Sequence, residues 1–222
     1  MADQTQHGGG TNALIFNIQT IRIQRALSRF FDFIFLNAPF PSHAGANVLP
    51  TFDGCDPYFV WTKSVSGALP QESMNNIEAA VEGRESDVVA ILGFSQGGKL
   101  GAGLLLMQQL RDKNTSYPIN FKFGVMCMSV TPPLVSKDFW DRRNERILVP
   151  SLHVVGTEDE WHEESLTLFE EHFDNKNSTL LEFDIGHRLP IEDEQTMKIV
   201  NSIIGLYKKT TGKELVEFHE WN

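Results

Sequence analysis

The amino-acid sequence predicts an α/β protein with a mostly parallel central sheet and helices on both of its faces. Short apolar runs of strand length alternate along the chain with longer stretches of helical periodicity. Residues 88–92 are continuously apolar, which is typical of a strand buried on both faces of a parallel sheet. Neither an internal repeat nor a linker interrupts the alternation, so residues 1–222 are expected to form one domain.

The composition is that of a globular protein and argues against several kinds of partner. Of the 222 residues, 41% are hydrophobic and 22% are charged, which is sufficient for a substantial core. The net charge of −10, without a basic cluster, argues against nucleic acid and anionic membrane surfaces. Cys55 and Cys127 are too few for a disulfide framework. Since no signal peptide and no membrane-spanning stretch is visible, we expect a cytoplasmic protein.

The chain begins with a polar segment that leads into a glycine-rich loop. Residues 1–6 contain no apolar run, so the first strand of the sheet is expected to be absent or truncated. Residues 7–12 (HGGGTN) resemble the loop that supplies a backbone N–H to the oxyanion hole of α/β-hydrolases, where glycines let the backbone approach a reacting carbonyl. A flexible polar tail is the alternative interpretation, and the serine motif described next favours the loop.

Residues 93–97 carry a Gly-x-Ser-x-Gly motif between the central strand and an apolar helix at residues 99–110. Strand, tight turn and helix form the context in which this motif presents a nucleophilic serine. Ser95 is therefore the candidate nucleophile, and the N–H of Gln96 is a candidate oxyanion donor at the start of the helix. The alternative is a simple Gly/Ser turn between two buried elements.

Periodicity and apolar runs predict the other elements. Helices are expected at residues 13–31, 71–82, 166–173 and 192–208. Strands are expected at residues 33–36, 121–130, 147–156 and 179–183.

The segment at residues 42–67 is long, irregular and rich in aromatic side chains. Such a loop either builds the substrate pocket or covers a satellite core, and the sequence does not decide between the two. Phe40 and Trp61 are candidate substrate-binding residues from this region. Trp140, in the segment 134–143, is a third candidate at the rim of a pocket.

A base and a carboxylate follow Ser95 in the order that this fold requires, Ser then Asp or Glu then His. Asp159 follows the strand at residues 147–156, with Glu158 as the fallback, and His187 follows the strand at residues 179–183. All three candidates lie where strands give way to loops, at the edge where such sheets place their chemistry. Asp159 is also suited to cap the next helix, and both roles can coexist.

No metal site is expected. The segment that begins at His162 starts like a zinc-binding helix but lacks the second histidine, and the cysteines do not have ligand spacing. His153 lies within an apolar strand, where a packed core histidine is expected.

The motifs together resemble one known family. They are HGGGTN at residues 7–12, APFP at 38–41, GFSQGG at 93–98, GTED at 156–159 and GH at 186–187. They are similar to the fungal serine hydrolases of the FSH family, and within it to the LovG-like thioesterases and esterases of polyketide gene clusters. The resemblance implies an α/β-hydrolase fold without a cofactor, a triad of Ser95, Asp159 and His187, and Gly9 and Gln96 as oxyanion donors.

The resemblance further implies the hydrolytic release of a polyketide acyl chain from a carrier-bound thioester, or hydrolysis of a related ester. The acyl carrier domain of a polyketide synthase is the corresponding partner. A general short-chain carboxylesterase with the same catalytic residues is one alternative. A non-catalytic, hydrolase-like binding protein is the other: the missing first strand favours it, and the complete triad opposes it.

Overall fold

A six-stranded sheet lies at the centre of the computed structural model, which describes residues 1–64, 67–111 and 119–215. Within these residues the strands are β1 (Ala2–Gln6), β2 (Asp32–Leu36), β3 (Phe40–Ser42), β4 (Tyr58–Val60), β5 (Val88–Phe94), β6 (Phe123–Cys127), β7 (Ser151–Gly156) and β8 (Ser178–Phe183). The order in the central sheet is β2-β1-β5-β6-β7-β8, and every pairing in it is parallel. The carboxyl ends of these strands therefore meet at one edge, as the sequence predicts.

Helices cover both faces of this sheet, which confirms the predicted layering. They are α1 (Ala13–Gln19), α2 (Ile21–Leu27), α3 (Gln71–Val81), α4 (Gln96–Leu110), α5 (His162–His172) and α6 (Asp193–Thr211). Helices α3, α4 and α5 contribute to one buried apolar cluster, and α1, α2 and α6 contribute to a second. Adjacent residues of β5 belong to different clusters, Ile91 to the first and Leu92 to the second, because successive side chains of a strand point to opposite faces.

The first strand is present, so the prediction that it is absent or truncated was wrong. Strand β1 lies between β2 and β5, with Gln4 opposite Ile34 on one side and opposite Ile91 on the other. All five of its residues are buried although four of them are polar. Pairing on both sides satisfies backbone donors and acceptors whatever the side chains are, so a strand can form here without an apolar run.

The polar side chains of β1 are only partly satisfied by hydrogen bonds. The Thr5 hydroxyl donates to the carbonyl of Ile34 (2.9 Å), and the Gln4 amide donates to the carbonyl of Ile77 (3.3 Å). In contrast, Oδ1 of Asp3 and both side-chain polar atoms of Gln6 have no partner among the described residues. The strand therefore carries buried polar groups that weaken the core.

The aromatic segment is more ordered than its composition suggests. Strands β3 and β4 form a separate antiparallel pair, with Phe40 opposite Val60. Phe59 in β4 also binds the glycine-rich loop: its carbonyl accepts from the Gly10 N–H, and its N–H donates to the carbonyl of Thr11, both at 2.8 Å. These contacts hold the aromatic segment against the end of β1.

The region predicted as one helical stretch at residues 13–31 contains two helices. They meet at Thr20, whose hydroxyl donates to the carbonyl of Phe16 (2.7 Å) in the preceding turn. This local bond competes with the regular helical pattern and marks the break. In the described part of the chain, no helix combines the length and the apolar character needed to cross a membrane.

Candidate active site

Ser95 occupies a sharp turn between the end of β5 and the start of α4. Its backbone has a φ of 53° and a ψ of −119°, in the left-handed half of conformational space that residues with side chains seldom adopt. The N–H of Ser95 donates to the carbonyl of Cys127 in β6 (2.9 Å), which helps to fix the turn. This is the strained strand-to-helix geometry that the motif predicts.

The end of β1 passes directly beside this turn, which explains one of the motif glycines. A Cβ atom at Gly97 would overlap the carbonyl groups of Gln6 and His7, which belong to backbone and cannot rotate away. A Cβ at Gly93 would in turn overlap the carbonyl of Gly97. The two glycines allow three parts of the backbone to approach one another closely. These are the end of β1, the turn at Ser95 and the glycine-rich loop at residues 7–12, which is called the oxyanion loop below.

Replacing Gly97 with Ala is therefore expected to lower the free energy of unfolding by about 1–3 kcal/mol, because the backbone of β1 must move. Gly205, an exposed residue within α6, offers a matched control because no atom lies within 4 Å of an added Cβ. Gly205→Ala is expected to raise stability by up to about 1 kcal/mol, since Ala is the better helix former. Urea unfolding of both variants checks the prediction, and similar changes in the two would contradict it.

The predicted base and carboxylate are in direct contact. Oδ2 of Asp159, in the loop after β7, lies 2.7 Å from Nδ1 of His187, in the loop after β8. The Asp159 side chain is fully buried, whereas that of His187 is 12% exposed. Oδ1 of Asp159 also accepts a hydrogen bond from the Trp161 N–H (2.9 Å) just before α5, so the carboxylate both orients the histidine and supports the helix start.

The fallback residue Glu158 does not take part in this contact, because it is exposed to solvent. Its backbone N–H donates to the carbonyl of Ile185 (3.2 Å) and so links the loops that carry Asp159 and His187.

Ser95 and His187 line the same cavity, which has a volume of about 840 Å³. The ring of Phe94, the residue before Ser95, lies 4.9 Å from the His187 ring between centroids. Ser95 thus shares a cavity at the carboxyl edge of the sheet with His187, which in turn contacts Asp159. The arrangement suits proton transfer from a hydroxyl to an imidazole that a buried carboxylate orients.

The two predicted oxyanion donors also line this cavity. Gln96 is the first residue of α4, so its N–H has no acceptor within the helix. The N–H of Gly9 donates to no acceptor within the described residues. The two residues are neighbours: a Cβ built on Gly9 would lie 3.6 Å from the Gln96 side chain.

His7 holds the oxyanion loop in place, a role that the sequence did not reveal. Its Nε2 accepts a hydrogen bond from the Ala38 N–H (3.0 Å), and its Nδ1 lies 2.7 Å from the carbonyl oxygen of Gly8. These partners require a neutral ring with its proton on Nδ1. Complete burial lowers the pKa of His7 to about 4, which keeps the ring in this form.

Trp61, predicted to bind substrate, is instead part of the support for this loop. Its side chain is fully buried, and its indole N–H donates to the carbonyl of His7 (2.9 Å). Its backbone N–H donates to Oε1 of Gln96 (2.7 Å). A large ring with one polar atom can be buried where that atom finds a partner, and here the carbonyl of His7 is that partner.

Phe40 and Trp140 are also not among the residues that line the cavity. The Phe40 ring lies beneath the ammonium of Lys63, 5.4 Å from its centroid. Trp140 packs against the apolar cluster formed with α3, α4 and α5, and the guanidinium of Arg143 lies 4.3 Å from its ring. Both aromatic side chains thus pack outside the cavity that Ser95 lines, and their role in substrate binding stays a prediction.

Most of the cavity surface is apolar, and the residues that supply it come from several segments of the chain, including the aromatic one. The larger ones are Ile18, Ile21, Val48, Phe52, Trp161, Leu189 and Ile191. The aromatic segment therefore serves both of the expected purposes, since Phe52 faces the cavity and Trp61 belongs to the core. In the parts of the chain that the structure describes, no three His, Cys, Asp or Glu side chains are grouped as a metal site requires.

Comparison with protein families gives a match over most of the chain. The model of the family described as "Serine hydrolase (FSH1)" matches residues 5–199. "Probable esterase tazC" of Aspergillus terreus is 33% identical, and the alignment covers 92% of this chain and 91% of that protein. "Thioesterase FSL2" of Gibberella zeae is 28% identical, with 90% of each chain covered.

Solved structures support the assignment of the fold. SOBER1 of Arabidopsis thaliana superposes with a TM-score of 0.62 at 17% identity, covering 94% of this chain and 99% of that one. A monoacylglycerol lipase of Paleococcus ferrophilus gives a TM-score of 0.58 at 18% identity, with coverage of 96% and 95%. The architecture is that of the α/β-hydrolases.

Proposed function

The chain belongs to the FSH1 serine hydrolase family and is a hydrolase of ester or thioester bonds, and we propose that it releases a polyketide-type acyl chain from a carrier-bound thioester. The contact between Asp159 and His187 beside the cavity that Ser95 lines carries this proposal. The names of its relatives include both esterase and thioesterase. The largely apolar cavity of about 840 Å³ suits an extended acyl chain better than a short one.

The reaction proceeds through an acyl-enzyme. The Ser95 hydroxyl attacks the thioester carbonyl while Nε2 of His187 takes its proton, and Asp159 stabilises the imidazolium through Nδ1. The N–H groups of Gly9 and Gln96 donate to the oxyanion of the tetrahedral intermediate. The intermediate collapses, and the thiol leaves with the proton from His187. A water molecule then gives a proton to His187 and attacks the acyl carbonyl. The second tetrahedral intermediate breaks its bond to Ser95, which takes the proton back from His187, and the acid is released.

A fluorophosphonate probe tests whether Ser95 is activated. The wild-type protein is expected to gain the mass of one adduct, and Ser95→Ala is expected to gain none, because the probe reacts only with an activated serine. Hydrolysis by Ser95→Ala is expected to fall by about 10⁴-fold or more. Intact-mass spectrometry reports the adduct, and circular dichroism of both proteins serves as the folding control. A folded wild-type protein without an adduct would contradict the proposal and favour a binding protein.

A matched substrate panel separates the thioesterase from a carboxylesterase. One acyl chain is offered as the thioester of a phosphopantetheinylated carrier domain, as a small thioester and as an oxyester. The proposal expects the highest kcat/KM for the carrier-bound thioester. Highest values for short oxyesters would instead make the protein a general carboxylesterase.

A further inference from the structure

Three isoleucines that line the active-site cavity are exposed to solvent. They are Ile18 in α1, Ile21 at the start of α2 and Ile191 before α6, and they are 47%, 40% and 57% exposed. With Trp161, they make up four of the nine large hydrophobic side chains that are exposed in the described residues. Scattered exposed apolar residues are ordinary, whereas a cluster of them indicates a binding surface. The three isoleucines are called the isoleucine wall below.

The two segments that form the isoleucine wall lie next to each other. Arg22, the residue after Ile21, donates a hydrogen bond to Asp193, two residues after Ile191 (2.5 Å). Helices α2 and α6 also contribute to the same buried apolar cluster. The isoleucines of α1 and α2 and the isoleucine before α6 therefore belong to one surface of the cavity.

Both segments begin at groups that take part in the proposed reaction. Asn12 caps α1 and comes three residues after the oxyanion donor Gly9, and Ile18 follows roughly 9 Å farther along the chain. Ile191 is four residues after His187, and every residue from 186 to 191 lines the cavity. The isoleucine wall therefore extends away from the place where Gly9 and His187 would hold the reacting carbonyl.

The wall on the other side of the cavity is more polar, and its lining includes Thr62, Ser64 and Thr131. Its segments are bound to the start of α4: the Gln96 side-chain amide donates to the carbonyl of Thr62 (3.2 Å), and the Leu134 N–H donates to the carbonyl of Lys99 (3.0 Å). Helix α4 belongs to the apolar cluster on the opposite face of the sheet from α1, α2 and α6. The cavity thus lies between an apolar wall and a polar wall.

A carrier-bound thioester has the same asymmetry. Its acyl chain is apolar, whereas the arm on the sulfur side of the carbonyl contains amide groups. Removing apolar surface from water is favourable, so the acyl chain gains more from the isoleucine wall than the arm does.

We propose that the acyl chain of the substrate lies along the isoleucine wall, and that Ile18, Ile21 and Ile191 make the enzyme prefer long acyl chains to short ones. The inference rests on the hydrolase function proposed above and names the residues that select its substrate. Each methylene group buried against the wall is expected to raise kcat/KM by about 2- to 4-fold, until the chain extends beyond the wall.

The test uses the N-acetylcysteamine thioesters of butanoyl, hexanoyl, octanoyl and decanoyl groups, each below the concentration at which it forms micelles. The measured quantity is the ratio of kcat/KM for the decanoyl thioester to that for the butanoyl thioester. Ile18→Ser and Ile191→Ser are each expected to lower this ratio roughly 3- to 10-fold, because each removes apolar surface that only the longer chain covers. Ser and Ile have similar helix propensities, so Ile18→Ser is expected to leave α1 intact.

Three further variants sharpen this comparison. Leu148→Ser removes a similarly exposed side chain (56%) three residues before β7, at the edge of the sheet opposite the cavity, and is expected to leave the ratio unchanged. Ile18→Leu keeps the apolar surface and is expected to retain most of the preference. Ile21→Ser replaces either Ser variant of the wall if that variant does not take up the fluorophosphonate probe.

An unchanged ratio in the Ser variants of the wall would overturn the inference while leaving the hydrolase function intact. Equal losses at all four chain lengths would also overturn it, because they would indicate a merely structural role. The acetyl thioesters of N-acetylcysteamine and of coenzyme A provide a third comparison: a ratio between them that changes only in the wall variants would place the leaving group against the wall instead. Wild-type protein that neither takes up the probe nor cleaves any thioester would refute the proposed function itself, so the failures are distinguishable.

Discussion

Replacing Asp159 with Asn is expected to lower kcat by about 10⁴-fold without disrupting the fold. One oxygen of Asp159 accepts from the Trp161 N–H (2.9 Å), and the other lies 2.7 Å from Nδ1 of His187. In the amide, the oxygen stays with the Trp161 N–H, which needs an acceptor, so the NH₂ group faces His187. Nδ1 must then accept a hydrogen bond, the ring proton moves to Nε2, and the ring can no longer take a proton from Ser95.

Glu158→Gln is the matched control for this variant. It makes the same chemical change at the adjacent, exposed carboxylate and is expected to leave kcat nearly unchanged. Steady-state kinetics with a single acyl thioester, together with circular dichroism, compare the two variants. Full activity in Asp159→Asn and loss of activity in a folded Glu158→Gln would transfer the orienting role to Glu158.

Replacing Asp3 with Val is expected to stabilise the protein, and to do so more strongly at pH 8 than at pH 5. Asp3 is 1% exposed, and its Oδ1 has no partner among the described residues. Burial raises the pKa of this carboxyl from 3.8 to about 8. The native state therefore holds a proton that the unfolded chain has released, and the free energy of unfolding falls by up to about 1.4 kcal/mol per pH unit between these two values.

Two buried histidines contribute with the opposite sign. Burial lowers the pKa of His7 to about 4 and that of His153 to about 3, so their contribution to stability rises with pH up to about 6.5. Both the wild type and Asp3→Val contain these two histidines. Their contributions therefore cancel in the difference between the unfolding free energies of the two proteins.

Urea unfolding of both proteins at pH 5 and pH 8 provides that difference. We expect it to increase by about 2–4 kcal/mol between the two pH values. Asp32→Asn is the control, because Asp32 lies in β2 directly opposite Ala2 but its carboxylate is exposed and forms a surface ion pair with Arg84. The same gain at both pH values would show that the Asp3 carboxyl does not titrate between them.

The positions of the candidate catalytic residues could be predicted from local sequence. Ser95, Asp159 and His187 each follow an apolar run of strand length, and parallel strands end at a common edge. The contact of 2.7 Å between Asp159 and His187 agrees with that expectation. The glycines beside Ser95 likewise indicated that another backbone segment passes close to this turn. They did not indicate that this segment is the end of β1.

The lining of the cavity could not be predicted in the same way. Trp61 and Phe52 come from one aromatic segment, yet the first is buried beneath the oxyanion loop and the second faces the cavity. An aromatic side chain buries its area equally well in either place, so the residue type carries no information on the choice. The hydrogen bond that His7 accepts from the Ala38 N–H was missed because it joins residues 31 positions apart in the sequence.

The sequence by itself determined the alternation of strands and helices, the nucleophile turn and the order of the candidate triad, because each depends on the spacing of neighbouring residues. Only the tertiary structure decided that residues 2–6 form an inner strand of the sheet and that Trp61 and Gln96 brace the oxyanion loop. The physical reason is that backbone hydrogen bonds to strands on both sides need no particular side chains. A polar segment such as β1 can therefore occupy the middle of a sheet, where local patterning predicts apolar residues.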